Sequence, residues 1–279
     1  MGKLDGKVAF ITGAARGQGR SHAARFAKEG ADIIAVDVLH DITSVKYPLG
    51  TKEDLEETVA QVEACGRRIV AAEADVREFD ALKAALDQGV AEFGRLDIVS
   101  ANAGVFAADR AEDITEQAWR DVIDINLTGV WHTAKAAIPH LRAGGRGGSI
   151  VLTASVDGLR AGYNHAHYIS SKHGVIGLTQ ALALELAAES IRVNAVCPTN
   201  VNTPMLLNDH IYGLFAPDLS PEQWTEENLL PRFAAAHPMP GAPWVTSEDV
   251  SNAVLWLASD EARFVTGVSL PIDAGKLVV

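Results

Sequence analysis

Seven short apolar segments alternate with helical segments along almost the whole chain, and this alternation constrains the fold more than any other feature. The apolar segments predict strands at residues 7–12, 31–37, 68–75, 96–101, 149–155, 191–196 and 269–272. Between them, apolar residues at helical spacing predict helices at about 18–29, 51–65, 80–93, 115–142, 167–188 and 247–258. Strands separated by such helices indicate βαβ units and a parallel sheet covered on both faces. The sequence therefore predicts an α/β fold, with residues 1–279 forming a single doubly wound domain of about seven parallel strands.

Two segments interrupt this alternation. The first, residues 39–50, follows directly after the second predicted strand, where α/β connections usually have only about 2–6 residues. The second, residues 199–246, is long, rich in proline and weakly periodic, and a segment of that length without strands is usually a functional lid or binding loop. Its large apolar residues are Met205, Leu206, Leu207, Tyr212, Phe215, Trp224, Phe233, Met239 and Trp244. We expect residues 199–246 to form a cap over a substrate site.

Composition argues against several classes of protein. The chain has 24 Lys and Arg residues against 36 Asp and Glu, a formal net charge of −12, and no basic run. Nucleic acids and anionic membrane surfaces are therefore poor candidates for partners. Its two cysteines, Cys65 and Cys197, have no CxxC spacing, which argues against a disulfide framework or a structural zinc site. The sequence contains neither a secretory signal nor an apolar run of ~18 residues, and we expect a cytoplasmic protein without a membrane span.

A glycine-rich turn follows the first predicted strand. Residues 12–19 read TGAARGQG and place Gly13, Gly17 and Gly19 at a GxxxGxG spacing. Glycines in such a turn let backbone N–H groups approach a pyrophosphate and let the next helix pack closely. Glycine-rich turns also occur for folding reasons alone, but here Asp37 ends the next strand, 18 residues after Gly19. This context is typical of a dinucleotide-binding fingerprint.

Asp37 also discriminates between the two nicotinamide dinucleotides. A carboxylate at the end of the second strand can accept hydrogen bonds from the adenosine ribose, and it would repel a 2′-phosphate. Arg16 points the other way, because a cation beside this loop could pair with that phosphate; alternatively it is a solvated loop charge. Repulsion between the Asp37 carboxylate and a 2′-phosphate should outweigh any attraction between that phosphate and Arg16. The sequence therefore predicts NAD as the cofactor.

A second constellation consists of Ser155, Tyr168 and Lys172. Ser155 ends a predicted strand, and Tyr168 and Lys172 lie four residues apart on the next helix, so they share one face. The alternative interpretation, a surface tyrosine and a solvated lysine, does not explain why they occur in a chain with a dinucleotide-binding turn. These residues predict proton transfer beside the nucleotide.

At these residues the chain resembles the classical short-chain dehydrogenases/reductases, which have a Rossmann-type fold. The resemblance covers the whole chain, including the glycine turn, the pair Asp75-Val76, the segment Asn102-Ala103-Gly104 and Asn126. It implies a catalytic tetrad of Asn126, Ser155, Tyr168 and Lys172. It also implies cofactor-binding positions at Gly13, Arg16, Gly17, Gln18, Gly19, Asp37, Val38, Asp75, Val76, Asn102, Ala103, Gly104, Tyr168, Lys172, Val201 and Thr203. Thr199 departs from the family, which most often has glycine there, so a backbone contact to the nicotinamide is in doubt.

The chemistry of alcohol oxidation requires these residue types independently of the resemblance. A tyrosine near its ordinary pKa of about 10 is a poor base at neutral pH. We expect the Lys172 ammonium and the positive nicotinamide to favour the phenolate and lower the pKa of Tyr168. Ser155 can hold the substrate oxygen beside Tyr168, and Lys172 can also bind the nicotinamide ribose. The resemblance implies that Asn126 holds a water that links Lys172 to solvent; it could also bond a kinked helix backbone.

Other polar residues near this constellation have weaker interpretations. His165, His167 and His173 lie around a loop and a helix start without an acidic residue at a ligand spacing, so we expect no metal site and ordinary polar residues beside the pocket. Asp157 either lines the pocket or caps the turn at Gly158. We expect the pocket to be formed by the cap and by three residues after Ser155, which are Val156, Leu159 and Tyr163.

Within the family, the chain is similar to the mycofactocin-coupled, carveol dehydrogenase-like branch. The similarity lies in the segment GQGRSH at residues 17–22, the insertion 39–50, residues 63–68, Pro198-Thr199 and the ending at 270–275. It implies an NAD that is not exchanged between turnovers and a redox partner, mycofactocin. The insertion starts beside the adenosine, so its apolar residues could cover the adenine; alternatively it is a surface loop or a subunit contact.

The sequence thus predicts an NAD-dependent oxidoreductase that interconverts a hydrophobic secondary alcohol, such as a terpenoid or steroid-like alcohol, and its ketone. Two alternatives stay open: an ordinary dehydrogenase of the same fold with freely exchanging NAD, and a non-catalytic dinucleotide-binding sensor. The resemblance also implies a homotetramer formed through the helices at about 115–142 and 167–188. Alanines on the second helix, at Ala181, Ala183, Ala187 and Ala188, could pack against a twin or equally against the sheet.

Overall fold

Seven parallel strands form one sheet in the computed structural model, which describes residues 2–279. The strands are β1 (Val8–Thr12), β2 (Asp32–Asp37), β3 (Ile69–Glu73), β4 (Ile98–Ala101), β5 (Gly148–Thr153), β6 (Ile191–Pro198) and β7 (Ser269–Ile272). Their order across the sheet is β3-β2-β1-β4-β5-β6-β7, and every neighbouring pair is parallel. The predicted seven-stranded parallel sheet is confirmed. Its strand order reverses between β1 and β4, and doubly wound sheets bind ligands at the carboxyl ends of the strands beside such a point.

Helices cover both faces of the sheet. They are α1 (Gly17–Lys28), α2 (Lys52–Ala64), α3 (Phe79–Phe93), α4 (Glu116–Ile123), α5 (Gly129–Gly144), α6 (Ala166–Leu186), α7 (Asp209–Phe215), α8 (Glu226–Ala234) and α9 (Ser247–Ala258). Apolar residues of α1, α2 and α9 form the core on one face, and those of α3 to α6 form the main core on the other. Among residues 2–279, no helix has the length and apolarity that a bilayer crossing requires.

The prediction of one continuous helix at 115–142 is wrong in one respect, because the structure has an interruption within it. A π-helical turn at Asp124–Thr128 separates α4 from α5. The extra residue in such a turn rotates the following side chains relative to a regular helix, and π turns are frequent at functional sites. Here the turn contains Asn126, whose side chain is completely buried.

The cap at residues 199–246 folds around a small core of its own. It contains α7 and α8, and its two ends are joined by a single parallel bridge between Val201 and Val245. Its buried residues are Leu206, Ile211, Ala216, Leu229 and Phe233, with Phe106, Tyr212, Phe215, Leu219, Trp224 and Trp244 packed around them. Most of the large residues noted in the sequence therefore stabilise the cap itself.

The insertion at residues 39–50 contains no helix or strand, yet it is not an exposed loop. Ile42, Val45, Tyr47 and Leu49 are each 9% exposed or less, and all four belong to the main core of the sheet. The chain then enters α2 directly, where Thr51 and Asp54 form a reciprocal capping box. The insertion is thus packed into the fold between β2 and α2.

Candidate active site

A cleft at the carboxyl ends of β1, β2 and β4 contains the glycine turn. Gly13 has a φ of +67°, and a Cβ there would lie 2.8 Å from the Ala103 backbone. A Cβ at Gly19 would lie 2.0 Å from the Gly13 carbonyl oxygen, so α1 packs directly on the turn. The cleft is open to solvent, and about 860 Å³ of space, the solvent at its mouth included, lies free of protein atoms.

Most of the predicted cofactor-binding positions line this cleft. They are Gly13, Arg16, Gly17, Gln18, Asp37, Val38, Asp75, Val76, Asn102, Ala103, Gly104 and Thr203. Gly19 is instead buried beneath the turn. Val201 lines the neighbouring pocket together with Tyr168 and Lys172. The insertion, for which the sequence allowed two interpretations, forms part of the wall of this cleft. Its lining residues are Ile42, Tyr47, Leu49 and Gly50.

Asp37 ends β2 with its carboxylate at the cleft. One oxygen accepts a hydrogen bond from the Ala15 backbone N–H at 2.8 Å, and the other accepts one from the Val38 N–H at 2.8 Å. Burial raises the pKa of Asp37, although these backbone bonds oppose that effect. Each carboxylate oxygen has a second lone pair, so the group can still accept from a ribose hydroxyl. The carboxylate therefore fits the ribose of NAD.

Arg16 has a different role from either one considered from the sequence. Its guanidinium donates a hydrogen bond to the Pro48 carbonyl oxygen of the insertion. This contact with the insertion was in neither interpretation of the sequence, and Arg16 also lines the cleft as predicted. Arg16 fastens the insertion to the glycine turn across the mouth of the cleft.

The loop after β4 is held from both sides. Asn102 donates to the Thr12 carbonyl oxygen at 3.0 Å, which ties the loop to the end of β1. Farther along, the Asn126 amide accepts from the Val105 N–H and donates to the Val105 carbonyl oxygen, each at 2.8 Å. Asn126 thus bonds the loop backbone and not the kinked helix that contains it. Its role in a water relay stays a prediction.

The insertion also holds the loop after β4, through the next loop residue, Phe106. The Phe106 N–H donates to the Tyr47 hydroxyl at 3.0 Å, and Tyr47 is buried with a pKa raised to about 12 by that burial. The Phe106 ring in turn packs edge-on against the Tyr168 ring, with centroids 4.9 Å apart. One chain of contacts therefore connects the insertion with the predicted catalytic tyrosine.

Ser155, Tyr168 and Lys172 line one pocket beside the cleft. The Lys172 ammonium lies 5.6 Å from the centre of the Tyr168 ring and donates to the Thr153 carbonyl oxygen at 2.8 Å. Burial lowers the pKa of Lys172 to about 8. These residues come together because β5 ends next to the first turns of α6, and the i, i+4 spacing turns both α6 side chains toward it.

The protein by itself shifts the pKa of Tyr168 in the direction opposite to the one expected from Lys172 and the nicotinamide together, and the effect of the nicotinamide stays a prediction. Burial raises the pKa of Tyr168 above its usual value, and the nearby Asp157 carboxylate raises it further. The hydrogen bond with the Ser155 hydroxyl acts in the opposite direction. Desolvation is the largest effect because taking a phenolate out of water costs more than one hydrogen bond returns.

The pocket beside Tyr168 is mostly apolar. Its apolar lining is formed by Val105, Phe106, Ala154, Val156, Ala161, Pro198, Val201, Met205, Leu206, Ile211 and Phe215. Val156 and the cap thus lie as predicted, but Leu159 and Tyr163 do not line it and are 40% and 93% exposed. Lys276 also reaches this pocket from the carboxyl-terminal segment, and no local sequence signal indicated it.

Asp157 and His165 form a polar patch in the same pocket. Asp157 Oδ2 lies 3.3 Å from His165 Nε2. Asp157 does not cap the turn with its side chain, because Ser155 Oγ accepts from the Asp157 N–H instead. Of the three histidines considered from the sequence, only His165 lines the pocket. His167 is buried, and His173 is exposed on α6. Within residues 2–279, no group of three His, Cys, Asp or Glu side chains has the arrangement of a metal site.

Thr199, the departure from the family pattern, anchors the cap. The His237 Nδ1 atom donates to the Phe233 carbonyl oxygen at 3.2 Å, so its Nε2 accepts from the Thr199 hydroxyl at 2.9 Å. The Thr199 N–H donates to the Ile272 carbonyl oxygen at 3.1 Å. A glycine at this position could not make the side-chain contact.

Comparisons with known proteins agree with this geometry. The family model for short chain dehydrogenases matches residues 7–210. (−)-trans-Carveol dehydrogenase of Rhodococcus erythropolis is 52% identical over 276 residues, which cover 99% of each chain. The solved structure of carveol dehydrogenase from Mycobacterium avium in complex with NAD is 56% identical, covers 100% of both chains and has a TM-score of 0.96. A short chain dehydrogenase from Mycobacterium paratuberculosis bound to NAD is 48% identical, with full coverage of both chains and a TM-score of 0.91.

Proposed function

The chain belongs to the short-chain dehydrogenase family, and on that premise we propose that it interconverts a hydrophobic secondary alcohol and its ketone, with Tyr168 as general acid and base. It is an NAD-dependent oxidoreductase that acts on an alcohol. One observation carries the proposal: Ser155, Tyr168 and Lys172 line an apolar pocket that adjoins the nucleotide cleft. Residues of both cavities, such as Gln18 and Thr203, mark where the two meet.

Each residue of the site has a distinct task. The residues that line the cleft would hold NAD, which would supply the hydride acceptor for oxidation of the alcohol and the hydride donor for reduction of the ketone. Tyr168 takes the hydroxyl proton in oxidation and gives it back in reduction. Ser155 holds the substrate oxygen beside Tyr168, and the positive charge of Lys172 favours the phenolate. The apolar walls exclude water and select a hydrophobic substrate.

Replacing Tyr168 by phenylalanine tests this assignment. Tyr168→Phe removes the phenol oxygen and keeps the ring against Phe106, so NAD should stay bound. We expect kcat to fall by about 10²- to 10⁴-fold, the usual contribution of general acid–base catalysis. Ser155→Ala should also lose activity. If purified Tyr168→Phe oxidises alcohols at the native rate, or if the native protein binds NAD without oxidising any secondary alcohol, the chain is better described as a dinucleotide-binding sensor.

We further propose that the insertion 39–50 covers the nucleotide, that NAD is not exchanged between turnovers, and that mycofactocin receives the electrons. Four insertion residues line the cleft, and Arg16 and Phe106 fasten the insertion on either side of it. If this packing adds about 3 kcal/mol to the barrier for release, NAD leaves roughly a hundredfold more slowly. Steric cover thus supports retention of the cofactor.

The amount of NAD(H) that stays with the protein separates this proposal from its alternative. The protein is purified without added cofactor, dialysed extensively and denatured, and NAD(H) in the supernatant is measured by absorbance and mass. Nearly one NAD(H) per chain, together with turnover on an artificial electron acceptor, supports retention. An empty protein that turns over steadily with added NAD is an ordinary exchanging dehydrogenase.

We also propose that the protein is a cytoplasmic homotetramer assembled through α4, α5 and α6. Large apolar side chains on these helices are exposed in the single chain: Trp119 by 41%, Trp131 by 42% and Leu184 by 83%. Of the four alanines named from the sequence, Ala183 belongs to the main core, whereas Ala181 on α6 and Ala187 and Ala188 just after it are exposed. Light scattering after size-exclusion chromatography measures the mass directly, and a monomer would contradict the assembly.

A further inference from the structure

The substrate pocket has two chemically different walls. The cap and the loop after β4 supply an apolar wall that includes Phe106, Leu206 and Phe215. The pocket also contains the ionisable residues Asp157, Arg160, His165 and Lys276. Of these, Asp157 and His165 form a second, polar wall, three residues or fewer from Ser155 and Tyr168 in the sequence. An alcohol with only one polar group would use the Ser155 and Tyr168 hydroxyls and leave this second polar wall without a partner.

The His165 ring has one nitrogen committed and one free. Nδ1 lies 2.5 Å from the Tyr163 carbonyl oxygen, and because a carbonyl only accepts, Nδ1 carries the proton. Nε2 is buried and has no hydrogen-bond partner among residues 2–279. It lies 3.3 Å from Asp157 Oδ2, but the two groups are not aligned for a hydrogen bond. Buried polar atoms are rarely left unbonded in folded proteins.

The surrounding chain fixes the position of this ring. A Cβ on Gly162 would lie 2.6 Å from His165 Cε1 and 2.9 Å from Nε2, so only glycine leaves room for the ring. The ring centroids of Phe106 and Tyr168 also lie close, 5.5 Å and 6.1 Å from that of His165. The ring that carries the free nitrogen is therefore a neighbour of Tyr168, the proposed residue of proton transfer.

We propose that Asp157 and His165 together bind a second hydroxyl group on the substrate, so that the preferred substrates are cyclic diols or hydroxyketones. This inference rests on the proposed function and makes its substrate class narrower. A hydroxyl can donate to the Asp157 carboxylate and share its oxygen with a protonated Nε2, or donate to a neutral Nε2. Either arrangement satisfies polar atoms that a hydrocarbon ring would leave buried and unbonded.

Paired substrates test the proposal. The native protein with its NAD and an artificial electron acceptor is assayed with cyclohexanol and with 1,4-cyclohexanediol. We expect the diol to have a kcat/KM about tenfold higher or more, since a hydrogen bond to a charged group readily contributes the 1.4 kcal/mol that corresponds to a factor of ten. The ratio of the two kcat/KM values is the readout, because a change in the proton affinity of Tyr168 affects both substrates alike.

Three variants should abolish the preference for the diol over cyclohexanol, each by a different structural change. Asp157→Leu removes the acceptor, His165→Phe removes Nε2 and keeps an aromatic ring against Phe106, and Gly162→Ala displaces the ring. Each should bring the ratio of kcat/KM values close to one, with cyclohexanol oxidation still measurable. Ile211→Val on the apolar wall is the matched control and should leave the ratio unchanged.

Binding provides a second readout that needs no turnover. In Tyr168→Phe, the diol should raise the melting temperature more than cyclohexanol does, and His165→Phe in the same background should remove the difference. A native protein that oxidises cyclohexanol and the diol equally well overturns this inference and leaves the proposed function intact. A native protein that oxidises no secondary alcohol overturns both.

Discussion

Two segments that line the two cavities of the proposed active site, which we call its covers, are attached to the protein in different ways. The insertion 39–50 over the nucleotide cleft places four apolar side chains in the main core. The cap 199–246 over the substrate pocket has its own core, closed by the Val201–Val245 bridge and the Thr199–His237 hydrogen bond. Its ties to the rest of the protein include two backbone hydrogen bonds, from the Thr199 N–H to the Ile272 carbonyl oxygen and from the Met239 N–H to the Ala274 carbonyl oxygen. The first cover is part of the folded sheet domain, whereas the second is a small unit placed against it.

This difference indicates different frequencies of opening. Segments with few contacts to the core open locally at low free-energy cost, whereas segments packed in the core open only at a cost near that of global unfolding. Under the proposed function, the cap therefore opens for substrate without disturbing the sheet. The insertion cannot move away from the cleft without exposing Ile42, Val45, Tyr47 and Leu49. This supports the proposal that the cofactor stays while substrates exchange.

A pair of matched leucines provides the largest test of this comparison. Leu49 in the insertion is 9% exposed and Leu229 in the cap is 6% exposed. Truncating either to alanine should cost about 2–5 kcal/mol. We expect Leu49→Ala to lower the global free energy of unfolding and to release NAD(H) on dialysis. Leu229→Ala should instead raise KM and leave cofactor retention near the native level.

Hydrogen exchange with mass spectrometry locates the two effects. Leu229→Ala should accelerate exchange in the cap, with little change in the strands of the sheet. Leu49→Ala should accelerate exchange in the insertion and in the neighbouring strands. If both variants destabilise the cap and the sheet equally, the two covers do not differ as described.

Two tyrosines provide a subtler pair. Tyr47→Phe removes the acceptor of the Phe106 N–H, and leaving a buried donor unbonded costs about 1–3 kcal/mol. We expect bound NAD(H) to dissociate about 5- to 100-fold faster, measured by stopped-flow fluorescence with excess unlabelled nucleotide as a chase. Tyr212→Phe in the cap, whose ring packs against Trp224, is the control and should leave this rate unchanged.

As the pH falls, the cap should open more often, whereas the insertion should not. Burial, with help from Lys276, lowers the pKa of His237, which anchors the cap through Thr199. When the cap opens, His237 regains its ordinary pKa of about 6.5, so the open state binds more protons below that pH. The closed cap therefore has its full stability above pH 6.5 and becomes less stable as the pH falls below that value. The equilibrium constant for opening rises by at most about tenfold per pH unit.

Amide exchange in the cap at pH 5.5 and 7.5, corrected for intrinsic rates, measures this effect. His237→Gln should weaken the cap at both pH values and reduce the difference between them. The insertion has one histidine, His40, which is already exposed, so its exchange should not change in this way. Equal loosening of both covers in acid would contradict the role given to His237.

The smallest effect is expected at the edge of the insertion. Lys46 pairs with Asp109 at 3.1 Å, and both side chains are partly exposed, 48% and 33%. Exposed ion pairs contribute about 0–1 kcal/mol and are screened by salt. Lys46→Ala should accelerate NAD(H) release less than about fivefold, and less still at high salt. A larger effect would mean that the insertion is held by charge and not by its apolar packing.

Sequence patterns predicted most of the scaffold, because those patterns are local. Strand bounds differed from the structure by only a few residues, and the glycine turn lies where its spacing placed it. The long helix at 115–142 was misjudged because its apolar periodicity continues through the π turn at Asn126. Leu159 and Tyr163 were misjudged because apolar character alone does not tell which side of a loop faces a pocket.

The sequence by itself determined the parallel sheet, the dinucleotide cleft with Asp37 and the meeting of Ser155, Tyr168 and Lys172. Each of these depends on residues a few positions apart or on the regular alternation of strands and helices. Only the tertiary structure decided that the insertion is a core-packed cover, that Lys276 faces the substrate pocket and that burial raises the pKa of Tyr168. Those outcomes depend on contacts between distant segments and on the exclusion of water, which arise only when the whole chain has folded.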